Sequence, residues 1–153
     1  MRKVYCDANI FIGWFNNEED KVEACRGLVD ASEQGEVRII TSALTLTEVI
    51  KIKGQQPLPQ SKEETIKDFF EQEFIGIVNV DRRTAEFARD LIWRYPHLNP
   101  KDSIHVATAL LTEGIDVLHT FDDDLLRLDG QLEDPPLRIS TPDIPDQLPI
   151  PFA

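Results

Sequence analysis

The sequence predicts an α/β fold, a parallel sheet with helices over both faces. Two observations carry that prediction. Short Val- and Ile-rich runs recur along the chain, and the segments between them switch to helical spacing. Strands that alternate with helices pair in parallel, and such a sheet is buried on both sides. A third observation concerns placement. Several acids stand just after the strand-like runs, and in parallel sheets sites form outside the carboxyl ends of the strands.

The predicted strands are Lys3–Cys6, Val37–Thr41, Ile75–Val80, Val117–Thr120 and Leu137–Ser140. Helical spacing runs over Lys21–Gln34, with Val22, Cys25, Leu28 and Val29 on one stripe. Ala43–Lys53 follows Thr41-Ser42, a predicted N-cap pair. Ser61 opens the next helix, with Glu64 three residues on as a capping box and Ile66, Phe69, Phe70 and Phe74 as its apolar stripe. Thr84–Tyr95 comes next and Pro96 stops it. Pro100 starts a helix that runs to Gly114, and Asp123–Leu128 is the last. A Pro-rich tail, 141–153, is predicted to be extended or irregular beyond a single domain of residues 1–140.

The chain of 153 residues fits one domain. It has no apolar run of membrane-spanning length, and its first residues enter a strand rather than a signal peptide. Cys6 and Cys25 lack zinc-ligand spacing and read as free buried thiols of a cytoplasmic protein. The formal charge of −12 argues against non-specific polyanion binding. Acid gathers at Glu18-Glu19-Asp20, at Asp122-Asp123-Asp124 and after Asp129. Base gathers at Lys51, Lys53, Arg82, Arg83, Arg89, Arg94 and Lys101.

Four acids stand out. Asp7 directly follows the first strand, with Asn9 two residues on; alone, such an Asp is as readily a helix cap. Glu48 lies among Leu44, Leu46, Val49 and Ile50, near a buried face where a carboxylate needs a partner; Lys51 or Lys53 would serve. Asp102 occupies the first turn of a small-residue helix, where its charge suits the dipole. Asp122 lies just past a buried strand, and its two acidic neighbours repel it; capping the last helix is the simpler role. Three of these acids fall at the same sheet edge. Crowded carboxylates raise one another's pKa, and a hard divalent cation resolves the repulsion. Mg²⁺ takes one or two carboxylates, keeps several waters and leaves room for a phosphate.

Val4-Tyr5-Cys6-Asp7-Ala8-Asn9-Ile10, Thr45-Leu46-Thr47-Glu48-Val49, Lys101-Asp102-Ser103-Ile104-His105-Val106-Ala107-Thr108-Ala109 and Thr120-Phe121-Asp122 resemble, in order, the four motifs of the PIN domain family. The resemblance covers roughly residues 1 to 140, and the chain looks like the small VapC-type toxin ribonucleases of that family. It implies a three-layer α/β/α sandwich around a central parallel sheet and a Mg²⁺- or Mn²⁺-dependent ribonuclease. It implies Asp7, Glu48, Asp102 and Asp122 as catalytic acids, with Asp7, Asp102 and Asp122 on the metal and Glu48 completing the coordination or holding the attacking water. Asn9 and Thr120 match supporting polar positions, and Asp124 is an outer acid or a cap of the last helix. Lys101 is the candidate for the substrate phosphate. The partners it implies are an RNA substrate, an antitoxin protein and a second copy in a homodimer. Two other readings compete: a PIN-like binding module without useful turnover, and another divalent-metal phosphohydrolase.

Other residues read as structural. His105 lies one turn past Asp102 in an apolar stretch, as a packed core histidine would; His119 sits within a strand. Arg82, Arg89 and Arg94 share a helix with Glu86 and Asp90 and read as a solvated face. Trp14 and Trp93 could stack on bases, though Trp14 more simply packs. The apolar run of Ile10, Phe11, Trp14 and Phe15, or the Phe69-Phe70-Phe74 stripe, is expected to reach an interface.

Overall fold

The structure, a computed structural model, describes residues 1–51, 56–133 and 136–142. In chain order its elements are β1 (Arg2–Cys6), α1 (Ala8–Phe15), α2 (Val22–Glu33), β2 (Val37–Ser42), α3 (Ala43–Glu48), α4 (Glu63–Phe70), β3 (Ile75–Val78), α5 (Arg82–Arg94), α6 (Pro100–Leu111), β4 (Ile115–His119), α7 (Asp123–Leu126) and β5 (Arg138–Ser140). The strands form one parallel sheet in the order β3-β2-β1-β4-β5. The predicted α/β/α sandwich is what the chain adopts. Among the described residues no helix is long and apolar enough to cross a membrane.

Alternation along the strands divides the core in two. Val4 and Cys6 of β1 point to one face with Val37, Ile39 and Val117, where α1, α2 and α4 cover them. Tyr5 points to the other, in register with Ile40 of β2 and Leu118 of β4, beneath α5, α6 and α7. Burying a side chain such as Leu118 stabilises the fold by roughly 1.5–3 kcal/mol. The aromatic residues of α1 and α4 belong to the first layer. Phe11 packs at a steep angle against Phe69 and Phe70, with ring centroids 6.0 and 4.9 Å apart, and Phe15 meets Phe69 edge-on at 5.3 Å. These rings therefore seal α1 to α4 within one chain. Phe70 and Ile66 of α4 also line an open apolar groove of about 640 Å³, together with Leu46, Ile50, Leu58 and Ile77.

Several boundaries differ from the sequence prediction. The segment after Asp7, read only as an apolar run, is helix α1. The second-motif helix ends at Glu48 instead of reaching Lys53; β-branched Val49 and Ile50 lose side-chain freedom in a helix, and residues 52–55 lie outside the described ones. Ser61 sits inside a 3₁₀ turn, Gln60–Lys62, so the capping box with Glu64 does not form and α4 starts at Glu63. α5 begins at Arg82 because Asp81 caps it, accepting from the Thr84 N–H at 2.9 Å and the Thr84 hydroxyl at 2.8 Å. α6 ends at Leu111, and Gly114 at φ 80° makes the left-handed turn into β4. Of the tail, residues 143–153 lie outside the described ones.

The short α3 depends on its start. Ser42, fully buried at the end of β2, accepts from the Leu44 N–H at 3.1 Å. Next to it Thr41 donates to the Cys6 carbonyl at 2.6 Å and meets the Thr45 hydroxyl at 2.7 Å, tying β2, β1 and α3 together. Ser42→Ala is expected to destabilise the protein by about 1 kcal/mol. At this chain length that lowers the melting temperature by roughly 2–4 °C. An unchanged melt would mean that the cap does not hold α3.

Candidate functional site

Parallel strands place their carboxyl ends at one edge, and the residues that leave β1, β2 and β4 meet there. Cys6 of β1 pairs with His119 of β4, so Asp7 and Thr120 are next in line on neighbouring strands. The Asp7 N–H donates to the His119 carbonyl at 3.3 Å. Asp7 is 3% exposed. It caps α1, one carboxylate oxygen accepting from the Asn9 N–H at 3.1 Å. The Thr120 hydroxyl donates to its other oxygen. Asn9 thus meets Asp7 through its backbone.

Thr120 is fully buried and also accepts from the Asp122 N–H at 3.0 Å, which links the first and fourth motifs. Asp122 caps α7, accepting from the Asp124 N–H at 2.8 Å. The Asp124 side chain pairs with Arg127, just past the end of α7, at 3.2 Å in an exposed contact. Asp102 sits in the first turn of α6. Its N–H donates to Asn99 Oδ1 at 2.8 Å, and Asn99 Nδ2 donates to its carboxylate at 3.1 Å. Asn99 thus serves both as helix cap and as a donor to this acid. The Asn99-Pro100 pair ahead of an apolar stretch is the signal that would have identified it.

Glu48 reaches the same region from the end of α3. Its Oε1 lies 2.7 Å from His105 Nε2, a histidine on α6; of the two lysines expected from sequence, Lys53 lies outside the described residues. His105 is 2% exposed, as expected of a core histidine, yet both of its ring nitrogens are engaged. Its Nδ1 meets the Tyr5 hydroxyl at 2.7 Å. Tyr5 and His105 are the site-adjacent pair whose polar role sequence reasoning missed.

Electrostatics follows burial. Burial pushes the Asp7 carboxyl from 3.8 up to about 6, against the pull of His105 and the hydrogen bonds from Thr120 and the backbone. Asp102 is also raised to about 6, first by partial burial and then by the negative charges of Asp122 and Asp7, with His105 opposing and Glu48 adding to them. The four acids therefore lie close enough for three of them to act on the fourth. Among the described residues no three His, Cys, Asp or Glu side chains are gathered tightly enough to cage an ion. The thiols are buried and inert. Cys25 donates to the Ile10 carbonyl at 3.2 Å, and burial pushes its thiol up to about 12; burial raises Cys6 as well.

The remaining candidates divide. Lys101 is exposed in the first turn of α6, beside Asp102. Arg82 pairs with Glu86 at 2.7 Å, as a solvated face would. Trp93 is 72% exposed, with the Arg89 guanidinium 5.5 Å from its ring centre. Trp14 packs against the first core layer. His119 Nδ1 lies 3.2 Å from the Ser140 carbonyl on β5.

No curated protein matches the chain. A solved structure described as a toxin–antitoxin complex from Klebsiella pneumoniae is similar in fold, with a TM-score of 0.62 at 20% identity over 92% of this chain and 98% of that one. The family model for the PIN domain matches residues 4–131, a span that runs from β1 past α7 and includes all four acidic positions. The chain belongs to the PIN domain family.

Proposed function

We propose that the chain is a metal-dependent endoribonuclease that hydrolyses RNA phosphodiester bonds in the cytoplasm, as the toxin of a type II toxin–antitoxin pair. One observation carries the reading. Acids from four separate motifs meet at one sheet edge, and two of them, Asp7 and Asp102, have carboxyls raised to about 6 by burial and crowding. Keeping such acids ionised at neutral pH costs stability unless a cation shares the site.

The donor set fits Mg²⁺ or Mn²⁺. It is all oxygen, since the thiols are buried away and both ring nitrogens of His105 are engaged. A hydrated Mg²⁺ needs only one or two carboxylates and no closed cage. Asp7, Asp102 and Asp122 would hold it. Bound there, the ion would supply an acidified water for attack on phosphorus and positive charge for the transition state. Glu48 would complete the coordination or accept a hydrogen bond from that water. Thr120 fixes the orientation of Asp7. Lys101, next to Asp102 at a helix start, would draw in a phosphate oxygen. Asp124, paired with Arg127, stands further out.

For partners, the reading takes an antitoxin on the apolar groove beside Glu48, where Leu46 and Ile50 are 45% and 47% exposed, and a second copy of the chain. The toxin–antitoxin neighbour supports the first of these. A competing reading, a PIN-like module without turnover, draws on the lack of a three-residue cage among the described residues.

One assay separates the two. The purified protein is incubated with labelled single-stranded RNA in Mn²⁺, Mg²⁺ or EDTA. Internal cleavage in Mn²⁺ or Mg²⁺ that stops in EDTA is expected. RNA left intact under all three conditions removes the nuclease reading.

A further inference from the structure

Glu48 is the last residue of a six-residue helix, and its side chain is 17% exposed. A carboxylate so placed has several staggered positions to choose from. What restrains it comes from another helix. His105 stands three residues beyond Asp102 on α6, so the two share a side of that helix. The imidazole bridges Tyr5 on the central strand and Glu48 on α3, at 2.7 Å in each direction. His105 is 2% exposed and Tyr5 fully buried, so water does not compete for the Tyr5 contact and reaches the Glu48 contact only from the carboxylate side.

The hydrogen-bond roles follow from chemistry. An ionised carboxylate only accepts, so Nε2 carries the proton and donates to Glu48. The Tyr5 hydroxyl, a phenol, keeps its proton at neutral pH and donates to the free Nδ1 at 2.7 Å. Tyr5 thereby fixes both the tautomer and the ring plane. An aliphatic side chain would fill the same space in the core but would leave Glu48 untethered.

We propose that His105, held by Tyr5, is a positioning residue that fixes the Glu48 carboxylate beside the aspartates of the site. This inference rests on the nuclease reading above and adds to it a tether between the second and third motifs.

The test uses four variants, measured for kcat and KM on single-stranded RNA at saturating Mn²⁺. His105→Asn keeps an amide near Tyr5 but falls short of Glu48. Its kcat is expected to drop about 10- to 100-fold, the usual cost of losing such a supporting contact, while KM stays within about twofold. His105→Gln reaches as far as Nε2 and is expected to recover most of that loss. Glu48→Gln lowers kcat on its own, and adding His105→Asn to it lowers kcat no further, because the two residues act as one unit. A residue that only filled the core would add its loss to that of Glu48→Gln. The second measurement needs no activity and no metal: ¹⁵N spectra of the wild type in EDTA should show His105 protonated at Nε2 and bare at Nδ1. Should His105→Asn fail to fold, Tyr5→Phe carries the same comparison, with a smaller loss of kcat that disappears in the Glu48→Gln background. The tether is overturned if kcat is kept, if the losses multiply or if the proton sits on Nδ1. A wild type inert with every divalent metal overturns the nuclease reading and the tether together, so the two failures are told apart.

Discussion

Asp7→Asn is expected to abolish RNA cleavage and, in EDTA, to raise the melting temperature. The two effects share a cause. Asp7 is 3% exposed, and its carboxyl is raised from 3.8 to about 6. That rise corresponds to about 3 kcal/mol of penalty on the ionised form. Because the folded pKa is the higher one, the folded state binds more protons than the unfolded state between about 4 and 6. Stability from this group is thus present in full below 3.8 and is lost as pH rises through about 6. At pH 7.5 the wild type carries the whole penalty, and the neutral amide does not.

Against this gain stand the contacts of the carboxylate. Asn caps a helix about as well as Asp, so the bond from the Asn9 N–H survives. The Thr120 contact must reverse, with the amide donating to a hydroxyl that already accepts from Asp122, at a cost of about 1 kcal/mol. The balance is a gain of about 2 kcal/mol, or roughly 4–8 °C at this chain length. Activity moves the other way, since the amide removes an anionic ligand. Thermal melts in EDTA beside the RNA assay check both. A variant that melts lower and still cleaves would make Asp7 a cap with no part in the chemistry.

How much of this was legible in sequence depends on how far apart the interacting residues lie. The strands were readable because Val/Ile runs such as Val37–Ile40 and Val117–Leu118 are local signals, and alternation with helices leaves few topologies. From parallel strands alone, Asp7 and Thr120 had to leave the sheet at one edge. Helix ends were less legible. Ser61 with Glu64 satisfies the capping-box pattern, but the chain turns as a 3₁₀ segment there and the pattern goes unused. The tether was not legible at all. Glu48 and His105 are 57 residues apart on different helices, and Tyr5 and His105 are 100 apart. A histidine in an apolar stretch looks the same in sequence whether it fills space or holds a carboxylate. That α4 packs its Phe69 and Phe70 over Phe11 and Phe15 was hidden for the same reason, since the two helices meet only once the chain is folded.

The stabilisation produced by Mn²⁺ is expected to depend steeply on pH, growing from pH 5 to pH 7. A cation binds the ionised carboxylates and competes with protons for them. With Asp7 and Asp102 both titrating near 6, each goes from about one-tenth to about nine-tenths ionised over that interval. If one must ionise, affinity rises about tenfold; if both must, about a hundredfold. Near saturation each factor of ten adds about 1.4 kcal/mol of stability by mass action. The shift in melting temperature on adding Mn²⁺ should therefore grow by roughly 3–10 °C between pH 5 and pH 7. In EDTA the slope has the opposite sign, because ionising the same acids without a cation destabilises the fold. Asp7→Asn should flatten both curves, leaving only the part that Asp102 contributes. Melts at half-unit steps of pH, with and without Mn²⁺, provide the check. Parallel curves for the wild type, or the same divergence in Asp7→Asn, would mean that the ion binds somewhere other than this sheet edge.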